Sequence, residues 1–332
     1  MSNFLLSICI PTYNRAKYLD ILLNSILVQF EPHREQIELL VSDNASSDNT
    51  RQIVDKYVDD KHLPIRYLCN ASNLGPDKNI AQCFSEAAGK YAWVIGDDDA
   101  LCPDALRFIM EILSLELYGI VHIKAIPYQK DFPLDLKPTE TIKVIECNPE
   151  KFVRYVNIFI TFVSANIVNK MELLKHYPDT QSLKEYAGTS LIQLGIYYKI
   201  LKKSEKFLYI KTPLIISKTD NTGGYKLFEV FGKNFYEITA AEFGARSKIT
   251  RLFVNGTILT FFPQYVFFRE TLPSFKEEKE VYNLLKKYLG GFLYFWVVLY
   301  PLFKLNKSLA KMWYFLVRVM RKINALLGNA LL

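Results

Sequence analysis

Three consecutive carboxylates, Asp97-Asp98-Asp99, follow a short apolar run. Like charges held this near repel one another, and a divalent cation bound by hard oxygen ligands is their common compensation. Mg2+ or Mn2+ there could bridge a diphosphate and neutralise charge growing on its leaving oxygen. The triplet could equally cap the helix expected from Pro103 and leave its surplus carboxylates in water. Three further clusters carry groups of related use. Pro11-Thr12-Tyr13-Asn14-Arg15 offers a rigid turn, a ring for stacking and a cation, with Asn14 also able to serve as an ordinary helix cap. Asp43 precedes a turn-rich Asn-Ala-Ser-Ser, where it can accept hydrogen bonds from a base or ribose or open the next helix as an Asx turn, a task also open to Asp48. Asn73-Leu74-Gly75-Pro76-Asp77-Lys78-Asn79 joins a glycine that permits close backbone approach to a lysine that could meet phosphate, and Pro76 or Asp77 would start a helix. His33, His62, His122 and His176 show no metal-ligand spacing. The chain has neither GxGxxG nor GxxxxGK[ST], which counts against a dinucleotide enzyme and a P-loop ATPase.

Each cluster stands where a strand should end. Apolar runs rich in branched and aromatic residues predict strands over 5–10, 37–42, 65–69 and 91–95, with helical patterns over 16–30, 49–58, 77–88 and 103–117. That alternation predicts an α/β fold of βαβ units with right-handed crossovers, built on a mostly parallel central sheet with flanking helices. Ligands of such sheets bind outside the carboxyl ends of the strands, so the four clusters are expected to line one crevice. From 118 to 220 the pattern loosens into strand-like pieces, 119–126 and 207–217, around a helical stretch, 188–202. The chain is read as a first domain over 1–220, with a donor half (1–117) and a half facing a second substrate (118–220). A polar turn at 220–224 opens a mainly helical region, 221–332.

LSICIPTYNRAKYLDILLNSI, ELLVSDNASSDNT and NLGPDKNIAQCFSEAAGKYAWVIGDDDALCPDAL, in that order, resemble the opening of glycosyltransferase family 2, GT-A enzymes that transfer sugars from nucleotide donors. The family's PxYN, VDxGSxDxT, NxGxxxARN and DxDD segments correspond to Pro11–Asn14, Val41–Thr50, Asn73–Asn79 and Gly96–Asp99. The resemblance implies that Pro11, Tyr13 and Asp43 hold the nucleotide base, that Lys78 approaches donor phosphate or base, that Asp97 meets ribose or phosphate, and that Asp98 takes the metal. Asn14, Arg15, Asn73 and Gly75 are grouped with the donor site and Asp99 with the metal. Two features depart from the family pattern: Gly96 stands where the first motif aspartate falls, and the NLGPDKN segment is short. Both look like a narrower branch, the O-antigen abequosyltransferases, which implies a CDP-linked dideoxyhexose donor and a lipid-linked oligosaccharide acceptor; UDP-, GDP- or dTDP-linked sugars fit the shared motifs as well. The acidic pair usually found ahead of a helix in the acceptor half is missing, which leaves Glu185, or its rival Asp179, as the general base. Two other readings stand beside this one. A nucleotidyltransferase would ordinarily want a glycine-rich basic loop after the first strand, and a membrane-bound scaffold would bind the sugar nucleotide without turnover.

The net charge of +7 belongs entirely to the tail, since Lys276–Leu332 carries ten Lys/Arg against three Glu. After Glu280 there is no acidic residue, which suits an anionic membrane surface better than nucleic acid. Lys304, Lys307, Lys311, Arg318 and Lys322 recur at helical spacing, with Leu309, Met312, Trp313, Leu316, Met320 and Ile323 on other sides. This pattern predicts a helix lying in the lipid interface or, alternatively, packed on the protein with its cations in water. No uncharged apolar stretch reaches the length of a spanning helix. Five cysteines without CxxC spacing and an opening segment that reads as a strand rather than a signal peptide place the expected protein in the cytoplasm, peripheral to the inner face of the membrane.

Overall fold

The run LSICIPT is apolar on both faces, and the sheet grows outward from it. In the computed structural model, which describes residues 4–128, 140–178, 185–218, 225–269 and 280–328, this run is β1 (Leu6–Thr12), fully buried apart from Pro11. It lies parallel to β2 (Ile37–Asp43) and to β4 (Tyr91–Val94), and β3 (Ile65–Cys69) pairs parallel with β2. The helices between them are α1 (Ala16–Phe30), α2 (Thr50–Asp59) and α3 (Pro76–Glu86), and α4 (Ala105–Leu115) follows β4. On α1 the buried residues are Leu19, Leu22, Leu23, Ile26 and Phe30, the spacing of a helix with one apolar face toward a sheet.

Beyond β4 the expectation of a mostly parallel sheet fails. The remaining strands are β5 (Ala100–Leu101), β6 (Ile120–Tyr128), β7 (Val144–Cys147), β8 (Asn166–Asn169) and β9 (Phe207–Lys218). The nine strands run in the order β3-β2-β1-β4-β8-β6-β9-β5, with β7 on β9. β8 is antiparallel to both β4 and β6, and β9 is antiparallel to β5 and β7 while parallel to β6. The physical reason is the approach to β8. After β7 the chain comes into β8 through two 3₁₀ turns, Asn157–Thr161 and Val163–Ala165, and meets β6 at His122 first and Ile120 last, so it runs back against β6 instead of crossing over to lie parallel. Asn166 fixes that entry by donating to the carbonyls of Ile160 (3.1 Å) and Phe162 (2.8 Å). α5 (Pro149–Val156), α6 (Lys170–His176) and α7 (Leu194–Lys203) complete this part of the chain.

The chain separates into two compact units, Met1–Pro149 with Ile160–Asp220, and Glu150–Phe159 with Asn221–Leu332. The turn expected at 220–224 lies outside the described residues. The second unit contains α5, α8 (Phe235–Phe243), α9 (Lys248–Thr260), α10 (Phe262–Phe267), α11 (Val281–Leu289), α12 (Tyr300–Lys304) and α13 (Lys307–Leu326). Its core gathers Val254, Ile258, Phe262, Leu285, Phe295 and Val317. Among the described residues no helix is long and apolar enough to cross a membrane. All five cysteines are free thiols, and four of them are buried.

His122 on β6 is 4% exposed; its Nδ1 lies 2.9 Å from Asn166 Oδ1, and its ring stacks on Tyr209. Burial lowers its pKa from the usual 6.5 to about 4, against the opposing pull of Asn166. The unfolded chain therefore takes up this proton first, so the stability contributed by neutral His122 is complete above about pH 6.5 and is lost as pH falls through about 4. His122→Gln is expected to flatten that part of the curve. Unfolding free energy measured from about pH 7 down to about pH 4 should fall by roughly 2–3 kcal/mol less in the variant than in wild type. Parallel curves would show that the imidazole carries none of the acid sensitivity.

Candidate active site

The carboxyl ends of β1, β2 and β4 meet at Thr12. In the β1–β2 register Thr12 stands opposite Asp43, and its hydroxyl donates to Asp97 Oδ2 at 2.7 Å, just past the end of β4. Arg15 Nη1 lies 3.0 Å from Asp97 Oδ1 and 3.2 Å from Asp98 Oδ2, so one guanidinium group serves two carboxylates. Asp97 is pushed up to about 6, first by burial and with the charge of Asp98 adding to the rise, while Arg15 and Thr12 oppose it. Burial also acts to lower Arg15, but the carboxylates of Asp97 and Asp98 outweigh it, and its net shift is upward. This is the pattern of a cation held because the anions beside it lack water.

Asp99 has a different environment. It is 4% exposed and accepts from the hydroxyls of Ser164 and Ser217 and from the Lys218 N–H; burial, followed by the charge of Asp98, pushes it up to about 7. Ser164 in turn accepts the Gly96 N–H at 2.8 Å. Asp99 therefore ties the end of β4 to β9. Gly96 leaves room for the cluster, because a Cβ there would stand 3.1 Å from Asp98 Oδ1 and 3.4 Å from Asp99 Oδ2. Asp98 is the member of the triplet with exposed surface: its side chain is 14% accessible. Tyr128 donates its hydroxyl to the Asp98 carbonyl at 3.2 Å, and Lys218 Nζ lies over the rings of Tyr18 (5.4 Å) and Tyr128 (5.6 Å).

The other residues singled out from sequence take up defined places. Pro11 lies in β1, and Tyr13 presents a ring that is 43% exposed. Asn14 has φ +53° and bonds the neighbouring loop: its N–H donates to Ser46 Oγ and its Oδ1 accepts from the Ser47 N–H. Asp48 receives the Ala16 N–H, so it opens α1 from across the crevice. Asp43 is 2% exposed, accepting the Ser46 N–H on one oxygen and the Tyr67 hydroxyl on the other. Asn73 Oδ1 accepts the Gly75 N–H and the Asn44 side-chain amide, which closes the loop before α3. Gly75 has φ +83°, a backbone that favours glycine. Lys78 is exposed on the first turn of α3. Glu185 lies elsewhere in the first unit, 3.5 Å from the Lys199 ammonium, with its side chain 52% exposed. Asp179 lies outside the described residues.

Among the described residues no group of three or more His, Cys, Asp and Glu is arranged to hold a metal by itself. The donor set around Gly96 fits the other common arrangement, in which one or two carboxylates share a hard cation with substrate phosphates. Sequence reasoning missed Thr12, Tyr18, Tyr128, Ser164 and Lys218. Thr12 was visible inside the PTYNR cluster; the others carry no motif, since Ser164 lies in a 3₁₀ turn and Tyr128 and Lys218 end β6 and β9, whose pairing the strand-like patterns at 119–126 and 207–217 did not show.

A family-wide profile described as Glycosyl transferase family 2 matches residues 7–176. The chain is 33% identical over 246 residues to abequosyltransferase RfbV of Salmonella typhimurium, covering 69% of this chain and 70% of that protein. Residues 1–349 of Staphylococcus aureus TarS in complex with UDP-GlcNAc superpose with a TM-score of 0.61 at 20% identity, covering 86% of this chain and 80% of that one. The mannosyltransferase PcManGT of Pyrobaculum calidifontis, solved with GDP-Man and Mn2+, gives 0.51 at 15% identity over 96% of this chain and 87% of that one. The protein thus belongs to glycosyltransferase family 2 and is a glycosyltransferase of GT-A fold.

Proposed function

We propose that the enzyme transfers a deoxyhexose of the abequose type from a nucleotide diphosphate to a saccharide carried on polyprenyl diphosphate, with the donor seated at the Thr12–Asp43–Asp97 edge. The observation carrying this reading is the position of Thr12, which stands opposite Asp43 in the β1–β2 register and donates its hydroxyl to Asp97 beyond β4, so that carboxylates from two separate loops flank one strand end. The identity to an abequosyltransferase supports the choice of sugar class. Tyr13 offers its exposed ring to the base, and Asp43, anchored by Tyr67 and Ser46, presents a fixed carboxylate beside it. Arg15 and Lys218 supply positive charge for the diphosphate on either side of Asp98, and Lys78 adds a third cation from α3. Glu185 is the carboxylate available to accept the proton of the acceptor hydroxyl. Asp98 would hold the Mg2+ or Mn2+ ion, a reading supported by the Mn2+ complex of the mannosyltransferase. Bound there, the ion would neutralise charge on the departing nucleoside diphosphate.

The second unit supports a site of work at an anionic membrane. α13 opens on Asn306, whose Oδ1 accepts the Leu309 N–H at 3.0 Å. Ala310, Val317 and Asn324 face the unit's own core, with Trp313 and Tyr314 half-buried beside them. Met312, Phe315, Leu316, Val319, Ile323 and Leu326 are exposed, from 37% to 86%, and at helical spacing their stripe is centred roughly 150° from the core stripe. Lys307, Lys311, Arg318 and Lys322 run between the two stripes. The helix therefore packs on its own unit and still turns an apolar face outward, with cations along its flank. Such a face suits the interface of a leaflet rich in anionic lipid, where each cation adds about 1 kcal/mol.

Transfer and donor hydrolysis measured with CDP-, UDP-, GDP- and dTDP-sugars should single out one nucleotide. Asp98→Asn should lower transfer by about 100-fold or more, as expected when several kcal/mol of leaving-group stabilisation is removed. Full activity of that variant under chelation refutes the metal role. Arg15 and the cation compete for the same carboxylate, so Arg15→Gln should melt below wild type in chelator and gain more from millimolar Mn2+. Equal melting points in chelator would mean that the cluster needs no counter-ion. Vesicles rich in phosphatidylglycerol should retain the wild type, release it as salt rises, and bind the Met312→Glu/Ile323→Glu variant at least about tenfold less. Concentration-dependent dimers abolished by the same variant, with no vesicle binding, would reassign the stripe to a second copy of the chain.

A further inference from the structure

The NLGPDKN segment contains one acidic residue that neither the donor nor the metal reading uses. Asp77 stands in the first turn of α3 and is 9% exposed. Its Oδ2 accepts the Gly188 N–H at 2.7 Å and the Ser190 N–H at 3.1 Å, and the Thr189 N–H also bonds this carboxylate. Three successive amides thus converge on one anion from more than a hundred residues away, a backbone nest filled by the protein's own carboxylate.

The loop that forms this nest is strained. Gly188 has φ +86° and Ser190 φ +61°, and a side-chain-bearing residue in the left-handed region costs about 1–2 kcal/mol. Within the loop, Thr189 Oγ1 donates to the Tyr186 carbonyl and accepts the Leu191 N–H, which ties the turn together. A conformation of this kind persists when its surroundings over-determine it, and Asp77 supplies that constraint. At the loop's near end, Glu185 meets Lys199 on α7, whose side chain is 9% exposed. Glu185 is therefore located by two anchors, an ammonium group behind it and the carboxylate of Asp77 through the amides three to five residues on. Asp77 belongs to the same strand-end edge as Lys78 and the Asn73–Gly75 turn.

We propose that Asp77 is a positioning residue for sugar transfer: it staples the 185–190 loop to the donor-binding edge and so fixes where Glu185 stands relative to the donor. This rests on the reading that Glu185 faces the acceptor. The staple also gives the acidic residue of the NLGPD segment a purpose.

Asp77→Ala and Asp77→Asn test the proposal through two independent readouts. Hydrogen exchange needs no substrate: the amides of 188–190 should exchange at least tenfold faster in Asp77→Ala, while those of β1, β2 and β4 keep their protection. In transfer assays Asp77→Ala should lose about tenfold or more in kcat/KM for the acceptor, with donor hydrolysis in the absence of acceptor within about twofold of wild type. Asp77→Asn, which retains an oxygen acceptor, should recover part of the loss. Unchanged exchange at 188–190 overturns the staple. Faster exchange with unaltered transfer, or equal losses of hydrolysis and transfer, overturns its role in positioning. A wild-type enzyme that turns over no sugar nucleotide overturns the functional reading instead, and leaves the exchange result to decide the staple. Should Asp77→Ala not fold, Gly188→Ala strains the same link from the other side and is expected to separate transfer from hydrolysis in the same way.

Discussion

The structure around the crevice depends on how three adjacent carboxylates are kept at one sheet edge. Asp97 and Asp99 are almost fully buried, and burial raises both. Each has a different remedy. Asp97 receives a hydroxyl from β1 and a guanidinium from the first helix turn, whereas Asp99 receives hydroxyls and a backbone N–H from the far side of the sheet. The repulsion that would drive the triplet apart is converted into bonds that fasten β4 to β1 in one direction and to β9 in the other. Asp98, between them, keeps the accessible surface. The carboxylate proposed to take the metal is thereby held in place by two neighbours whose own bonds run to the protein.

The same division of labour runs through the loops. Asp43 and Asp48 sit on either side of one turn, and each was readable from sequence as a cap or as a binding group. Asp48 opens α1, which leaves Asp43 at the strand end with its lone pairs partly committed to Tyr67 and Ser46. Asn14, Asn44 and Asn73 likewise spend their amides on neighbouring loops, so the polar density of the motifs is largely scaffolding. Motif residues in such a crevice are therefore a mixture, and hydrogen bonding sorts them better than burial: Asn14, Asp48 and Asn73 are exposed yet tie loops together, whereas Tyr13 and Lys78 are exposed and Asp98 keeps part of its side chain accessible.

The first four strands and the helices that join them were legible because each is a long local signal: a run of branched residues, a 3.6-residue apolar period, a turn. Helix α1 begins and ends where its period begins and ends. β8 was not legible, since four residues reading Asn-Ile-Val-Asn carry no period and its antiparallel pairing with β4 and β6 is a contact between segments distant in the chain. Together with the antiparallel pairs of β9 with β5 and β7, it turns the sheet from mostly parallel to mixed, and the turn that leads into it brings Ser164 to the cluster. For the same reason Tyr128 and Lys218 escaped notice. They become neighbours only because β6 and β9 pair in a register that crosses a bulge between Ile123 and Ala125. The exposed apolar stripe of α13 was partly visible as a helical pattern of cations and hydrophobes, but which hydrophobes face the unit's own core depends on tertiary packing.

Gly96 shows how local space and charge are settled together. Family 2 motifs resemble this segment with an aspartate at that place, and here the position bears no side chain. A Cβ would press on Asp98 Oδ1 and Asp99 Oδ2, and a fourth carboxylate would add to a cluster that already raises its own buried members. With glycine, Arg15 reaches both Asp97 and Asp98, and of the three carboxylates Asp98 alone keeps accessible surface. An anchored and accessible oxygen of this kind, near Lys218 and Tyr128, is what the proposed cation would need from the protein, with its other ligands left to the substrate.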